Sequence, residues 1–149
     1  AADALTDLII DVLRLNGLLM TAGDRMVARL GLTSPRWQVL RAVYDAERAQ
    51  PVAWLARDMG GNRQNVQRIV NDLQKMGLVT LEVNPHHRRA SLVVLTDKGR
   101  QTYDEASRLQ APWANRLSEN LAIKDIDTTR RVVAELRKRL ELNGEQAST

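Results

Sequence analysis

Long amide and cationic side chains recur along one side of residues 60–76, GGNRQNVQRIVNDLQKM, when that segment is drawn as a helix. Arginine, asparagine and glutamine carry hydrogen-bonding groups that match the edges of guanine and adenine in the major groove of DNA. No carboxylate lies in the centre of this row, because Asp72 falls to one side. The row therefore predicts a surface that contacts DNA bases. We call it the reading face, and it consists of Gln64, Asn65, Gln67, Arg68, Asn71 and Lys75.

An apolar stripe on the opposite side of the same helix predicts how the reading face is held. Its members are spaced by three, four and seven positions, which places them on one face that must be buried. They are Val66, Ile69, Val70 and Leu73. An ordinary amphipathic helix with a solvated outer face shows the same pattern, so the helix alone leaves that interpretation open.

The segment before this helix favours DNA reading. Residues 52–59, VAWLARDM, have apolar side chains at helical spacing, and Gly60 and Gly61 then permit a tight turn. Asn62 is a residue type that caps the first turn of a helix. A helix, a glycine turn and a second helix predict a helix-turn-helix, whose second helix enters the major groove.

Residues 77–95 are predicted to form a β-hairpin. Gly77 is suited to end the preceding helix, and residues 79–83 then alternate between apolar and polar side chains. Residues 92–95, LVVL, form the returning strand. The tip between the strands can reach phosphates or insert an arginine into a neighbouring minor groove. Its polar members are His86, His87, Arg88 and Arg89.

Residues 31–45 are predicted to contain the start and body of a second helix. It begins at Thr33 or Ser34, because these residue types cap helices and Pro35 suits a first turn. Gly31 is expected to end the helix before it. We expect the buried side of this helix to contain Trp37, Leu40, Val43 and Tyr44.

Long apolar stripes at both ends of the chain predict a partner. Residues 5–30, 96–121 and 125–143 have helical apolar spacing, interrupted in the first by Gly17 and Gly23. A helix of about 25 residues is nearly 40 Å long, which exceeds what one small core covers. A second copy of the chain is the economical partner, and folding back onto the central domain is the alternative.

Composition narrows the function classes. Between residues 57 and 100, eight Lys or Arg accompany four Asp or Glu, so the whole formal net charge of +4 falls in this segment, as phosphate binding requires. The chain has no cysteine, and its two adjacent histidines lack a third ligand, so we expect no metal. No catalytic or phosphate-loop motif occurs, and no apolar run approaches the ~18 residues of a membrane span. We therefore expect a soluble cytoplasmic protein without catalytic residues, cofactor or membrane association.

Three segments of the chain resemble the MarR family of transcription regulators. They are LTSPRWQVL, LARDMGGNRQNVQRIVNDLQKMGLV and NPHHRRASLVVLTDKG, and the last is the most specific. The resemblance implies a mainly α-helical fold with a small β-hairpin wing. In that fold residues 31–99 form a winged helix-turn-helix, and residues 1–30 and 100–149 form a helical dimerisation region within the same structural unit. It also implies a homodimer that binds a palindromic operator in double-stranded DNA, commonly a repressor released by a small aromatic effector.

Carried over by position, the resemblance makes residues 62–76 the recognition helix and Arg89 the arginine of the wing tip. One departure concerns the residue two positions before Arg89, where the family commonly has an acid that braces the arginine and this chain has His87. The residues predicted to contact DNA are Asn62, Arg63, Gln64, Asn65, Gln67, Arg68, Asn71, His87, Arg88 and Arg89.

Two questions stay open at the level of sequence. The same fold could serve as a winged-helix module that binds protein and not DNA. The residues of an effector site are also not identified, because Met20, Trp37 and Trp54 are of types that more often belong to a core than to a ligand pocket.

Overall fold

The computed structural model describes the backbone of residues 1–147 and the side chains of residues 1–144. The last two positions of the predicted dimerisation region, 148 and 149, lie outside the described residues. The elements, in chain order, are α1 (Ala2–Val27), a 3-10 turn (Ala28–Leu30), α2 (Ser34–Asp45), β1 (Gln50–Pro51), α3 (Val52–Met59), α4 (Arg63–Lys75), β2 (Val79–Glu82), β3 (Leu92–Leu95), α5 (Asp97–Leu117) and α6 (Ile123–Ala147). This is the mainly helical fold with a small sheet that the sequence predicts.

Helix α1 runs unbroken through Gly17 and Gly23, the two positions at which its apolar pattern is interrupted. Gly23 is required by a close approach, because a Cβ atom at this position would overlap the hydroxyl of Ser34. That hydroxyl donates a hydrogen bond of 2.7 Å to the carbonyl oxygen of Met20, and the backbone N–H of Ser34 donates one of 2.6 Å to Asp24. The carboxylate of Asp24 thus satisfies an N–H in the first turn of α2 from outside that helix.

Helix α2 begins as predicted and differs on its buried side. The side chain of Thr33 accepts a hydrogen bond from the backbone N–H of Arg36, and Gly31 has a left-handed φ of 73°. Leu40 and Val43 are buried as predicted, whereas Tyr44 is 37% exposed. Tyr44 lies outside the core because its ring stacks on Tyr103 of α5, with the ring centroids 4.1 Å apart.

Helices α3 and α4 form the predicted helix-turn-helix. Gly60 takes the left-handed conformation after α3, with a φ of 66°. The side-chain oxygen of Asn62 then accepts hydrogen bonds from the backbone N–H groups of Gln64 and Asn65, which caps α4. All four predicted apolar residues of α4 are buried, and none is more than 5% exposed. They lie in a core with Val39, Leu40, Leu55, Leu78, Val79 and Val93.

The sheet has one strand more than the predicted hairpin. Its order is β1-β3-β2, with antiparallel pairing that sets Gln50 opposite Val93 and Val79 opposite Leu95. Strand β2 ends at Glu82, and Val83 is 79% exposed. We call residues 79–95 the wing. Strand β1 pairs with β3 of the wing and continues directly into α3. The backbone hydrogen bonds of this pair therefore connect the first helix of the helix-turn-helix to the wing.

The end of α4 is held by the beginning of α5. Gly77 has a φ of 75°, and the hydroxyl of Thr96 donates a hydrogen bond of 2.7 Å to its carbonyl oxygen. The same hydroxyl accepts a bond of 3.0 Å from the N–H of Gly99 and so caps the first turn of α5. Gly99 is obligatory there because a Cβ atom would overlap the carbonyl of Leu78.

Contacts within the chain group residues 1–110 into one compact unit and the described residues from Ala111 onward into a second. In the first unit, the outer side of α1 leaves aliphatic side chains in solvent: Leu5, Ile9, Ile10, Val12, Leu13, Leu15, Leu18 and Leu19. In the second unit, three apolar residues of α6 spaced seven positions apart are also exposed: Ile126, Val133 and Leu140. Elsewhere on α6 a hydrogen bond and the charge of Arg139 hold the pKa of the Glu135 carboxyl below its ordinary value.

Candidate nucleic-acid interface

The structure places the reading face on the solvent side of α4. Five of its six members are exposed and Gln67 is half-buried. The buried stripe of the same helix packs into the core, so α4 cannot roll about its axis without exposing aliphatic side chains. The orientation of the reading face is therefore fixed by packing.

Side-chain hydrogen bonds organise the reading face before any partner arrives. Arg68 donates from Nη2 to the side-chain oxygen of Asn65 over 2.7 Å, and Gln67 donates to that of Asn71 over 2.9 Å. Both bonds use amide oxygens as acceptors. The guanidinium keeps further N–H groups directed outward, and such donors match the acceptors of guanine and of phosphate.

Asp72 is removed from the reading face by an ion pair. Its carboxylate lies 3.4 Å from Nη2 of Arg36 on α2, and both side chains are about two-thirds buried. Arg36 also donates to the carbonyl oxygen of Gly31 over 3.3 Å. The one acid in the middle of α4 is thus directed to α2, where it ties the two helices together and leaves the outer side of α4 without negative charge.

The wing tip is folded by a buried asparagine. Asn84 is 7% exposed, its side-chain oxygen accepts from the N–H of His86, and its carbonyl oxygen accepts from the N–H of His87. Arg88 and Arg89 are exposed, as predicted. Arg89 takes part in none of the ion pairs found between described residues.

The expectation that Trp54 belongs to the core is wrong. It is 57% exposed and lies on α3 between Val52 and Leu55, which are buried. A helical wheel of α3 predicts the exposure of Trp54, because position 54 lies opposite the apolar residues of this helix. Trp37 is half-buried against the core. Met20 is partly buried, and its sulfur accepts a hydrogen bond of 3.3 Å from the side-chain amide of Gln38.

No cluster of three or more His, Asp or Glu that could hold a metal ion occurs in the part of the chain that the structure describes. Within the same residues, no helix combines the length and apolarity needed to cross a membrane.

Comparison with known proteins assigns the family. The MarR family profile matches residues 30–90, which contain the helix-turn-helix and the wing tip. The chain belongs to the MarR family. An uncharacterized protein of Mycobacterium tuberculosis is 40% identical to it over 129 residues, covering 87% of this chain and 89% of the relative.

Solved structures of MarR proteins share its fold. The regulator CouR of Rhodococcus jostii, bound to p-coumaroyl-CoA, is 21% identical with a TM-score of 0.79, covering 88% of this chain and 92% of that one. The regulator MOSR of M. tuberculosis, in complex with DNA, is 23% identical with a TM-score of 0.76, covering 90% and 96%. The winged helix-turn-helix predicted from sequence is therefore confirmed, and the DNA contacts of individual residues stay predictions.

Proposed function

We propose that this chain is a sequence-specific transcription regulator that binds a palindromic operator as a homodimer and releases it on binding a small ligand. The observation that supports it best is the reading face, a row of exposed amide and guanidinium groups on a helix whose other side is fixed in the core. Side chains of these types, held rigidly, are suited to recognise base edges. Repression by occupying a promoter in the cytoplasm is the mode of action that we propose.

The exposed apolar side chains of α1 support the homodimer. Exposed apolar patches of this extent on one helix mark interaction sites in soluble proteins. A two-fold pair of heads would engage half-sites about 34 to 36 Å apart, roughly one turn of DNA. Footprints of the purified protein should therefore show dyad symmetry.

A small aromatic effector is part of the proposal. The solved relative CouR binds p-coumaroyl-CoA, an aromatic thioester. Screening aromatic acids and their coenzyme A thioesters for release of the operator, with the free coenzyme as a control, tests this part by itself. No release by any of them removes the aromatic effector and leaves DNA binding untouched.

Operator selection followed by mutation tests the proposal as a whole. Duplexes enriched from a random pool should bind more tightly than bulk competitor DNA at moderate salt. Arg68→Ala should lose roughly 1 to 3 kcal/mol of binding and relax specificity, because a bidentate base contact is removed. Arg130→Ala is the matched control, since Arg130 lies on α6 with a side chain 80% exposed and carries the same charge.

The wing tip separates phosphate contacts from base contacts. Arg88→Ala should weaken all duplexes alike and reduce the slope of log affinity against log salt by about one. If the wild-type protein prefers no duplex, or if Gln64→Ala, Arg68→Ala and Arg89→Ala leave retention of DNA unchanged, the fold serves as a protein-interaction module and the proposal fails.

A further inference from the structure

A cleft of about 1360 Å³ lies between α3, the loop before β1 and the wing. Trp54 of α3, Arg63 at the start of α4, and His87 and Arg89 of the wing tip all line it. We propose that this cleft receives the sugar–phosphate backbone of duplex DNA, and that Trp54 is a backbone contact. The inference rests on the proposed function and adds to it a binding residue outside the reading face and the wing.

The position of the cleft favours a DNA strand as its occupant. Arg63 is the first residue of the helix that we place in the major groove, and Arg89 belongs to the tip that we place in an adjacent minor groove. A phosphodiester strand separates two adjacent grooves, so it must cross the gap between these two residues. The cleft occupies that gap.

Trp54 has the chemistry that a backbone contact needs. Its indole ring offers an apolar face for deoxyribose and one N–H donor for a phosphate oxygen. Single exposed apolar side chains are common and by themselves indicate nothing. This one differs because it lies inside a concave site with arginines around it, which places a donor and an apolar surface beside phosphate-binding groups.

The charged side chains that line the cleft do not form a strong binding site for a small free anion. Its arginines, Arg48, Arg63 and Arg89, are matched in number by the acids Asp45, Glu47 and Asp58. The carboxylate of Asp45 lies 3.2 Å from the guanidinium of Arg41. A lining of mixed sign attracts free phosphate weakly. Such a lining suits a DNA strand that α4 and the wing already hold on either side of the cleft.

The width of the cleft is set by backbone pairing. Strand β1 pairs with β3, with Pro51 opposite Leu92, and Trp54 follows only three residues after Pro51. Asn84 folds the other wall through its hydrogen bonds to the wing tip. Trp54 and the tip are therefore held on one frame, and the cleft exists before DNA binds.

Tryptophan fluorescence tests the contact directly. The chain has three tryptophans, so Trp37→Phe with Trp113→Phe leaves Trp54 as the only one. Selected operator duplex should shift its emission and protect it from acrylamide, and inorganic phosphate should not. Trp37→Phe with Trp54→Phe reports Trp113 as the matched control, which should not respond. Protection of Trp54 by inorganic phosphate or a small aromatic acid, and not by duplex, would assign the cleft to a small ligand and overturn the inference.

Affinity measurements separate this inference from the proposed function. Trp54→Ala should weaken the binding of every duplex by a factor of roughly ten to one hundred, as expected for losing a hydrogen bond to a charged group. The salt slope should stay unchanged because Trp54 is neutral, whereas Arg89→Ala should make it shallower. Trp54→Phe should retain part of the affinity through its apolar face. Wild-type affinity in Trp54→Ala overturns the backbone contact alone, while failure of the wild-type protein to bind any duplex overturns the proposed function.

Discussion

The ammonium nitrogen of Lys98 lies 2.9 Å from the carbonyl oxygen of Met76, so the first turn of α5 holds the C-cap residue of α4. A cation at this end of a helix meets carbonyl groups that have no partner within the helix, and it interacts favourably with the helix dipole. Thr96 reinforces the junction through Gly77. The helix that carries the reading face is thereby fixed at its end as well as along its buried side.

Replacing Lys98 by methionine should lower the free energy of unfolding by about 0.3 to 1 kcal/mol, because the charge at the end of α4 is lost while the aliphatic stem is kept. Urea denaturation at fixed protein concentration measures it. Lys138→Met is the control, since Lys138 is exposed, carries the same charge and lies on a different helix, α6. Equal effects of the two substitutions would show that the junction contributes nothing beyond net charge.

The two glycines of α1 should respond to alanine with opposite signs. Gly17→Ala should stabilise the protein by roughly 0.5 to 1 kcal/mol, because nothing lies within 4 Å of the added Cβ and alanine favours a helix. Gly23→Ala should displace the Ser34 hydroxyl from Met20, at a cost of roughly 1 to 3 kcal/mol that exceeds the helical gain. Thermal unfolding of both variants checks the signs, and a stabilised Gly23→Ala would contradict the described contact.

Asn62 should act on stability through its cap as well as on DNA. Asn62→Ala removes the acceptor of two backbone N–H groups and should cost about 1 kcal/mol of unfolding free energy. Asn62→Ser should restore most of that stability, since serine also caps helices. A loss of DNA binding in Asn62→Ala without any change in stability would assign Asn62 to the DNA alone.

The main features of the helix-turn-helix could be predicted from the sequence because they depend on residues that are close together in the chain. The apolar stripe of α4, the cap at Asn62 and the end at Gly77 each depend on residues within seven positions of one another. All of them have the expected structure. Side-chain type and spacing alone were sufficient for these features.

The features that sequence missed depend on distant contacts. Strand β1 has two residues, one of them proline, which is too short to show a period, and it exists because β3 pairs with it. Tyr44 has the spacing of a core residue and leaves the core for Tyr103 of α5. Gly23 interrupts the apolar pattern of α1, and the residue that requires a glycine there, Ser34, lies eleven positions further along the chain.

The aliphatic side chains left in water along α1 have a consequence for how the protein behaves at different amounts. With a second copy covering them, every dissociation returns a strip of leucine and isoleucine to solvent, and mass action makes the melting temperature rise with protein concentration. In a cell that makes little of the regulator, the fraction of assembled dimer would then fall faster than the total amount of protein. The unpaired monomers, with their apolar side chains exposed, would be prone to aggregate.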